Sequence, residues 1–171
     1  MLQNNGNTNR TAIFIDGSNI YHAMKNIGWD IDWKKLQKYF SKEGNLVNAF
    51  YYMVEKKPLS KECMKLQGIL RKNGYKIKKK DLKKIYCKVS DSYRLKGDMD
   101  IDLTLDVIRS EDTYDTCILF TGDSDFVPLI EYLESRNKIV KVVSSIKNGT
   151  AREIKDAVGM NHISLEELRP L

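Results

Sequence analysis

No apolar run in this chain of 171 residues approaches the length needed to cross a membrane as a helix. The first ten residues, MLQNNGNTNR, also lack the apolar stretch of a secretory leader. Residues 1–9 are therefore expected to form a flexible tail and residues 10–171 a single domain, with no membrane partner. Cysteine is scarce: Cys63, Cys87 and Cys117 are an odd number without a C-x-x-C pair, which argues against a disulfide framework or a zinc site. All three lie in apolar patterns where a free thiol packs as a small hydrophobe, so a reducing, cytoplasmic setting is expected. The two histidines, His22 and His162, are read as surface or packing residues rather than general bases. Internal repeats and low-complexity linkers are absent as well.

What is present is an ordinary globular composition with a basic bias, 42% hydrophobic and 30% charged residues and a formal charge of +6. A basic surplus suits polyanionic partners without establishing one. It is concentrated in YKIKKKDLKKIYCK (75–88), which holds seven lysines and one aspartate. Two readings of that segment stand side by side: a strand edge defended by lysines, and a phosphate-binding patch with tyrosines interleaved.

Strand-like apolar runs occur at TAIFID (11–16), LVNAFYYMV (46–54), TCILF (116–120) and IVKVV (139–143), with the lysine-rich region as a further strand candidate. Between them, apolar residues recur at helical spacing: Ile20, Ala23, Met24 and Ile27; Trp33, Leu36, Tyr39 and Phe40; Leu59, Cys63, Leu66 and Leu70; Ile101, Leu105 and Ile108; and Phe126, Leu129, Ile130 and Leu133. TARE at Thr150–Glu153 has capping-box spacing and is expected to open a last helix through Ile154 and Ala157. Alternating strands and helices predict an α/β fold, a mostly parallel sheet of about five strands with helices on both faces. In that class, sites form outside the carboxyl ends of the strands, near the switch in strand order.

Carboxylates fall at that rim. Asp16 ends FIDGSN; KGDMDIDLTLD carries Asp98, Asp100, Asp102 and Asp106; TGDSDF carries Asp123 and Asp125. Helix capping explains one of the last two well. In the expected helix, Asp98, Asp102 and Asp106 stack at i, i+4 and i+8, and a solvated acidic face accounts for Asp102. Convergence of Asp16, Asp100 and Asp123 is harder to explain by structure alone, since two carboxylates about 4 Å apart repel by roughly 4 kcal/mol at an effective dielectric near 20. A hard divalent cation, Mg²⁺ or Mn²⁺, neutralises such a set and can activate water against a phosphodiester.

Taken in order, AIFIDGSNIYH, KGDMDIDLTLDVIR and CILFTGDSDFVPLIEYL resemble the NYN domain family, the LabA-like branch of the PIN-like nucleases, from about Thr11 to about Ser145. The resemblance implies a Rossmann-like, PIN-type sheet and Mg²⁺- or Mn²⁺-dependent hydrolysis of RNA by an acidic cluster. It places the first-strand aspartate on Asp16 and the nearby asparagine on Asn19. The helix-start aspartate falls on Asp100, with Asp98 its competitor because one extra residue follows Lys96-Gly97, and the later acids on Asp123 and Asp125. Asp16, Asp100 and Asp123 are then the candidate metal ligands, directly or through water. Asp125 is a fourth ligand or orients the attacking water, with capping as its rival. Asn19 steadies Asp16 or contacts phosphate, Ser18 and Thr121 offer hydrogen bonds to a carboxylate or phosphate, and Lys96 offers charge to the scissile phosphate.

Two other enzyme classes fit less well. A phosphatase of the haloacid dehalogenase type needs a second acid two residues after the first, where Ser18 stands; a phospho-acceptor receiver domain expects paired acids early in the chain. Outside enzymology, an RNA-binding or scaffold module with the same fold and little turnover would retain these residues. A homodimer is compatible with the sequence, although no segment announces an interface.

Overall fold

A computed structural model describes residues 9–87, 92–147 and 150–169. Among these, six strands form one sheet in the order β3-β2-β1-β6-β7-β8: β1 (Arg10–Asp16), β2 (Asn45–Glu55), β3 (Lys76–Asp81), β6 (Thr116–Phe120), β7 (Ile139–Ser144) and β8 (His162–Ser164). Every neighbouring pair is parallel. A separate antiparallel ribbon joins β4 (Lys83–Cys87) to β5 (Ser92–Lys96). The fold is thus the α/β, Rossmann-like class expected, with β8 as a short edge strand that the sequence reading did not include. The lysine-rich region divides into the edge strand β3 and one arm of the ribbon.

Strands covered on both faces need apolar residues at successive positions, which is why TAIFID and TCILF carry no polar alternation. Ile13 and Ile15 point into one core with Ile20, Leu36, Phe40 and Leu70. These last come from α1 (Gly17–Ile27), α2 (Trp33–Phe40) and α3 (Lys61–Lys72). Ala12 and Phe14 point to the opposite core, with Leu103, Val107, Leu129, Leu133 and Ile154. That side is built by α4 (Asp100–Arg109), α5 (Val127–Ser135) and α6 (Arg152–Val158). Strand order reverses between β1 and β6: the chain winds outward through β2 and β3, then resumes on the other side of β1.

Three expectations need correction. α4 buries Leu103 and Val107, with Ile108 packed beside them as expected, whereas Ile101 is 68% and Leu105 41% exposed. The helix carries two apolar faces, and tertiary partners select between them: Tyr52 Oη donates to Asp106 Oδ2 at 3.0 Å, and Lys78 Nζ lies 3.3 Å from the same oxygen. Second, α4 begins at Asp100 behind Met99, so Asp98 lies before it and only Asp102 and Asp106 share its acidic face. Third, Thr150 does not cap α6. Its hydroxyl donates to Ser145 O at 2.6 Å, Ala151 occupies the N-cap position, and no side chain caps the helix.

The thiols behave as structural residues where they are described: Cys117 is buried and Cys63 half-buried, while the side chain of Cys87 lies outside the described residues. Residues 1–8 of the tail expected over residues 1–9 also lie outside them. Asn9, at its end, is held by its amide, which donates to Thr116 Oγ1 at 3.0 Å, and by its carbonyl, which accepts from Asn45 N at 2.8 Å. No helix among the described residues is long and apolar enough to cross a membrane.

Candidate functional site

β1 and β6 lie side by side at the reversal of strand order, and both run out at the same rim. β1 ends in Asp16, which is buried and caps α1: its Oδ1 accepts from the amides of Ser18 (3.0 Å) and Asn19 (3.2 Å). The turn can be this tight only because residue 17 is glycine. A Cβ there would meet Tyr52 O at 2.4 Å and the Tyr51 ring at 2.5 Å.

β6 continues into Thr121-Gly122-Asp123, which is stitched to β1 by side chains. The Thr121 hydroxyl donates to Asp16 Oδ2 at 3.5 Å and accepts from Asp123 N at 3.2 Å. Asn19 Oδ1 accepts from Gly122 N at 3.0 Å. Asp123 Oδ1 accepts from Asp125 N at 3.0 Å, opening a short 3-10 turn over Ser124–Phe126. One oxygen of Asp123 is thus a cap, and Asp125 itself is exposed.

Electrostatics show what converges. Burial pushes the Asp16 carboxyl above its ordinary value against the pull of the Asn19 and Ser18 amides, and the charge of Asp123 adds to the rise. Asp100, half-buried in the first turn of α4, is pushed up to about 6. Burial is the largest cause, followed by the negative charges of Asp16, Asp98, Asp123 and Asp125. Carboxylates from β1, the β6 turn and the start of α4 therefore share one electrostatic neighbourhood. Between Asp98 and Asp100, the half-buried residue that feels both strand ends is Asp100, while the Asp98 side chain is exposed.

Oxygen-only donors whose negative charges crowd Asp16 and Asp100 suit a hard cation. Among the described residues, no group of three His, Cys, Asp or Glu side chains is arranged to hold an ion as it stands. The fit therefore rests on donor chemistry and mutual repulsion, not on a finished coordination shell.

The other acids of KGDMDIDLTLD are occupied. Asp106 takes Tyr52 and Lys78, and Asp102 pairs with Lys80, whose Nζ also reaches Asp98 O at 3.5 Å. The acidic face of α4 is thus latched to the lysines of β3 instead of being left to solvent. Lys79 pairs with buried Glu55 at 2.9 Å and Lys76 donates to Asn48 at 2.6 Å, so the lysines of β3 are largely committed to structure.

The remaining candidates take varied positions. Ser18 is exposed, and its amide serves Asp16. Thr121 is fully buried, so its hydroxyl meets carboxylate and backbone. Lys96 is exposed at the end of β5, opposite Lys83. His22 is exposed with its ring edge-to-face against Tyr21, and His162 Nε2 lies 2.8 Å from Ser144 Oγ with its pKa lowered by burial. Sequence reading missed Tyr52, whose hydroxyl sets the rotation of α4; a tyrosine inside an apolar run carries no local sign of a partner 54 residues away.

The NYN domain family model matches residues 10–166. The chain is 32% identical over 163 residues to the low amplitude and bright protein LabA of Synechococcus elongatus, covering 94% of this chain and 86% of that protein. The crystal structure of VPA0982, a protein of unknown function from Vibrio parahaemolyticus, superposes with a TM-score of 0.78 at 25% identity, covering 98% of both chains. With its parallel sheet, its acids at the rim and a match over nearly its whole length, the chain belongs to the NYN domain family.

Proposed function

We propose that the protein is a ribonuclease that hydrolyses RNA phosphodiester bonds at the carboxyl ends of β1 and β6, with Mg²⁺ or Mn²⁺ as its cofactor. The observation that carries the reading is the convergence at one rim of carboxylates from separate segments of the chain: Asp16 at the end of β1, Asp123 in the turn after β6 and Asp100 at the start of α4. Family membership supports it, since NYN domains fall among PIN-like nucleases.

Asp16, Asp100 and Asp123 would hold the ion, which when bound supplies Lewis-acid stabilisation of the charge that builds on the phosphate and lowers the pKa of water. The chain's own groups do the rest. The Ser18 and Asn19 amides fix one oxygen of Asp16, leaving Oδ2 with only the long Thr121 contact. Asn19 and Thr121 act as positioning residues, tying the β6 turn to α1 so that Asp123 faces Asp16. Asp125, exposed at the rim, orients the attacking water and accepts its proton. Ser18 and Lys96, both exposed, meet the RNA backbone.

A second reading, an RNA-binding module with little turnover, draws on the lack of a ready three-carboxylate group among the described residues. Incubation of a labelled, structured RNA with the purified protein in Mn²⁺, Mg²⁺ or chelator, beside Asp16→Asn prepared identically, separates the two. Metal-dependent cleavage lost in a folded Asp16→Asn protein supports the nuclease. RNA bound but left intact by wild type supports the module.

A further inference from the structure

The β4–β5 ribbon stands apart from the main sheet, and its composition is unlike that of a structural hairpin. Tyr86 and Tyr93 face each other across the strands with ring centroids 5.4 Å apart, yet they are 48% and 66% exposed. Lys84, on the same face by strand alternation, places Nζ 5.6 Å from the Tyr93 ring centroid. At the root of the ribbon Lys83 and Lys96 are directly opposed, an arrangement that costs stability unless an anion lies between or beside them. Among the described residues Lys83, Lys84 and Lys96 form no ion pair with a carboxylate, in contrast to Lys78, Lys79 and Lys80 of β3.

The ribbon is rooted at the candidate site. Gly97, the residue after β5, sits so close to the end of β2 that a Cβ would lie 2.7 Å from Val54 Cγ1 and 3.0 Å from Leu82 Cδ1. Three residues later comes Asp100. Lys80 closes the base by pairing with Asp102 and reaching Asp98 O. A strand of nucleic acid lying along the ribbon would therefore lead to the carboxylates.

We propose that the ribbon is a docking arm for unpaired RNA: bases stack on the exposed faces of Tyr86 and Tyr93, and a phosphate binds Lys84 beside them, while Lys83 and Lys96, on the opposite face by the same alternation, add positive charge at the root. Stacking on aromatic faces tolerates any base, and the lysines supply the sequence-independent term. A duplex cannot use the tyrosines because its bases are already stacked. The proposal rests on the ribonuclease reading for its placement beside the carboxylates, and the test keeps the two apart.

Binding of a fluorescent uridine oligomer of roughly 12 nucleotides is followed by anisotropy in chelator, where no hydrolysis intervenes. Tyr86→Ala/Tyr93→Ala is expected to weaken binding about tenfold or more, since one lost stack alone is worth roughly a 5- to 160-fold change. Lys84→Ala is expected to reduce the slope of log affinity against log salt by about 0.7, the value for one phosphate contact on a single strand. A duplex is expected to bind more weakly than the single strand and to be insensitive to the tyrosine change. Photo-crosslinking of a 5-iodouridine oligomer to the wild-type chain supplies a readout that needs no variant to fold, with adducts expected at Tyr86 or Tyr93. Unchanged affinity in both variants, adducts only elsewhere, or no binding of single strands by wild type would each overturn the proposal. Ribbon-dependent binding without metal-dependent cleavage would keep the arm and remove the nuclease; cleavage with ribbon-independent binding would do the reverse.

Discussion

Asp100 is the residue at which the energetic conflict is largest. Its carboxyl is ionised at neutral pH only against burial and four neighbouring charges. A folded-state pKa raised from 3.8 to about 6 means that its contribution to stability is fully present below about 3.8 and is lost as the pH rises through about 6. Asp100→Asn removes that loss. In chelator at pH 7.5 the variant is expected to melt higher than wild type by about 2–4 °C, corresponding to about 1 kcal/mol once solvent screening is allowed for. Near pH 3.5 the two should coincide. A melting series across this range checks it, and the same variant is expected to lose metal-dependent cleavage. Thr121 is the complementary case. Thr121→Val leaves the Asp123 amide without its acceptor and Asp16 Oδ2 without its donor. A loss of about 1–3 kcal/mol in urea unfolding is expected, with weaker Mn²⁺ binding.

At the level of elements, the orientation of α4 decides where Asp100 points. The helix is held by Leu103 and Val107 in the core and by Asp102 and Asp106 on the lysines of β3. Leu103→Ala is expected to cost about 2–5 kcal/mol, whereas Ile101→Ala, on the exposed side, should change stability by no more than about 0.5 kcal/mol. Chemical denaturation of the two variants separates the observed face from the one that periodicity favoured. The sequence could not separate them because Ile101, Leu105 and Ile108 and the pair Leu103 and Val107 are both apolar sets, and the partners that choose between them lie on β2 and β3. The lysine-rich segment was ambiguous for the same reason. Lys78 and Lys80 look like Lys83 and Lys84 until the carboxylates more than 20 residues downstream are brought alongside.

Over the whole molecule, the strands were the most legible features. Doubly covered parallel strands must be continuously apolar, and runs such as TCILF leave little choice. The rim carboxylates were legible too, since a strand that ends in aspartate and glycine brings the acid to the sheet edge where β1 and β6 meet. The closing C-terminal contacts were not legible, because they depend on one carboxylate reaching back about twenty residues. Glu166 accepts from Ser145 Oγ at 2.6 Å, Ser164 Oγ at 2.7 Å and Ile146 N at 3.1 Å. Burial pushes its carboxyl up, but these hydrogen bonds outweigh it and bring the pKa from 4.5 down to about 2. Its contribution is therefore present above about 4.5 and lost as the pH falls toward 2, opposite in sense to Asp100. Glu166→Gln is expected to melt below wild type at pH 7 and to converge with it near pH 2.

Asp16, Asp100 and Asp123 are proposed to form one cation site at the end of the sheet. Calorimetric titration of Mn²⁺ into the wild-type chain and into folded Asp100→Asn at pH 7.5 tests it most directly. Saturable binding to wild type is expected, with at least tenfold weaker binding to the variant and proton release on binding that grows as the pH approaches 6. Equal Mn²⁺ affinity in the two proteins, or no saturable binding to wild type, would contradict it.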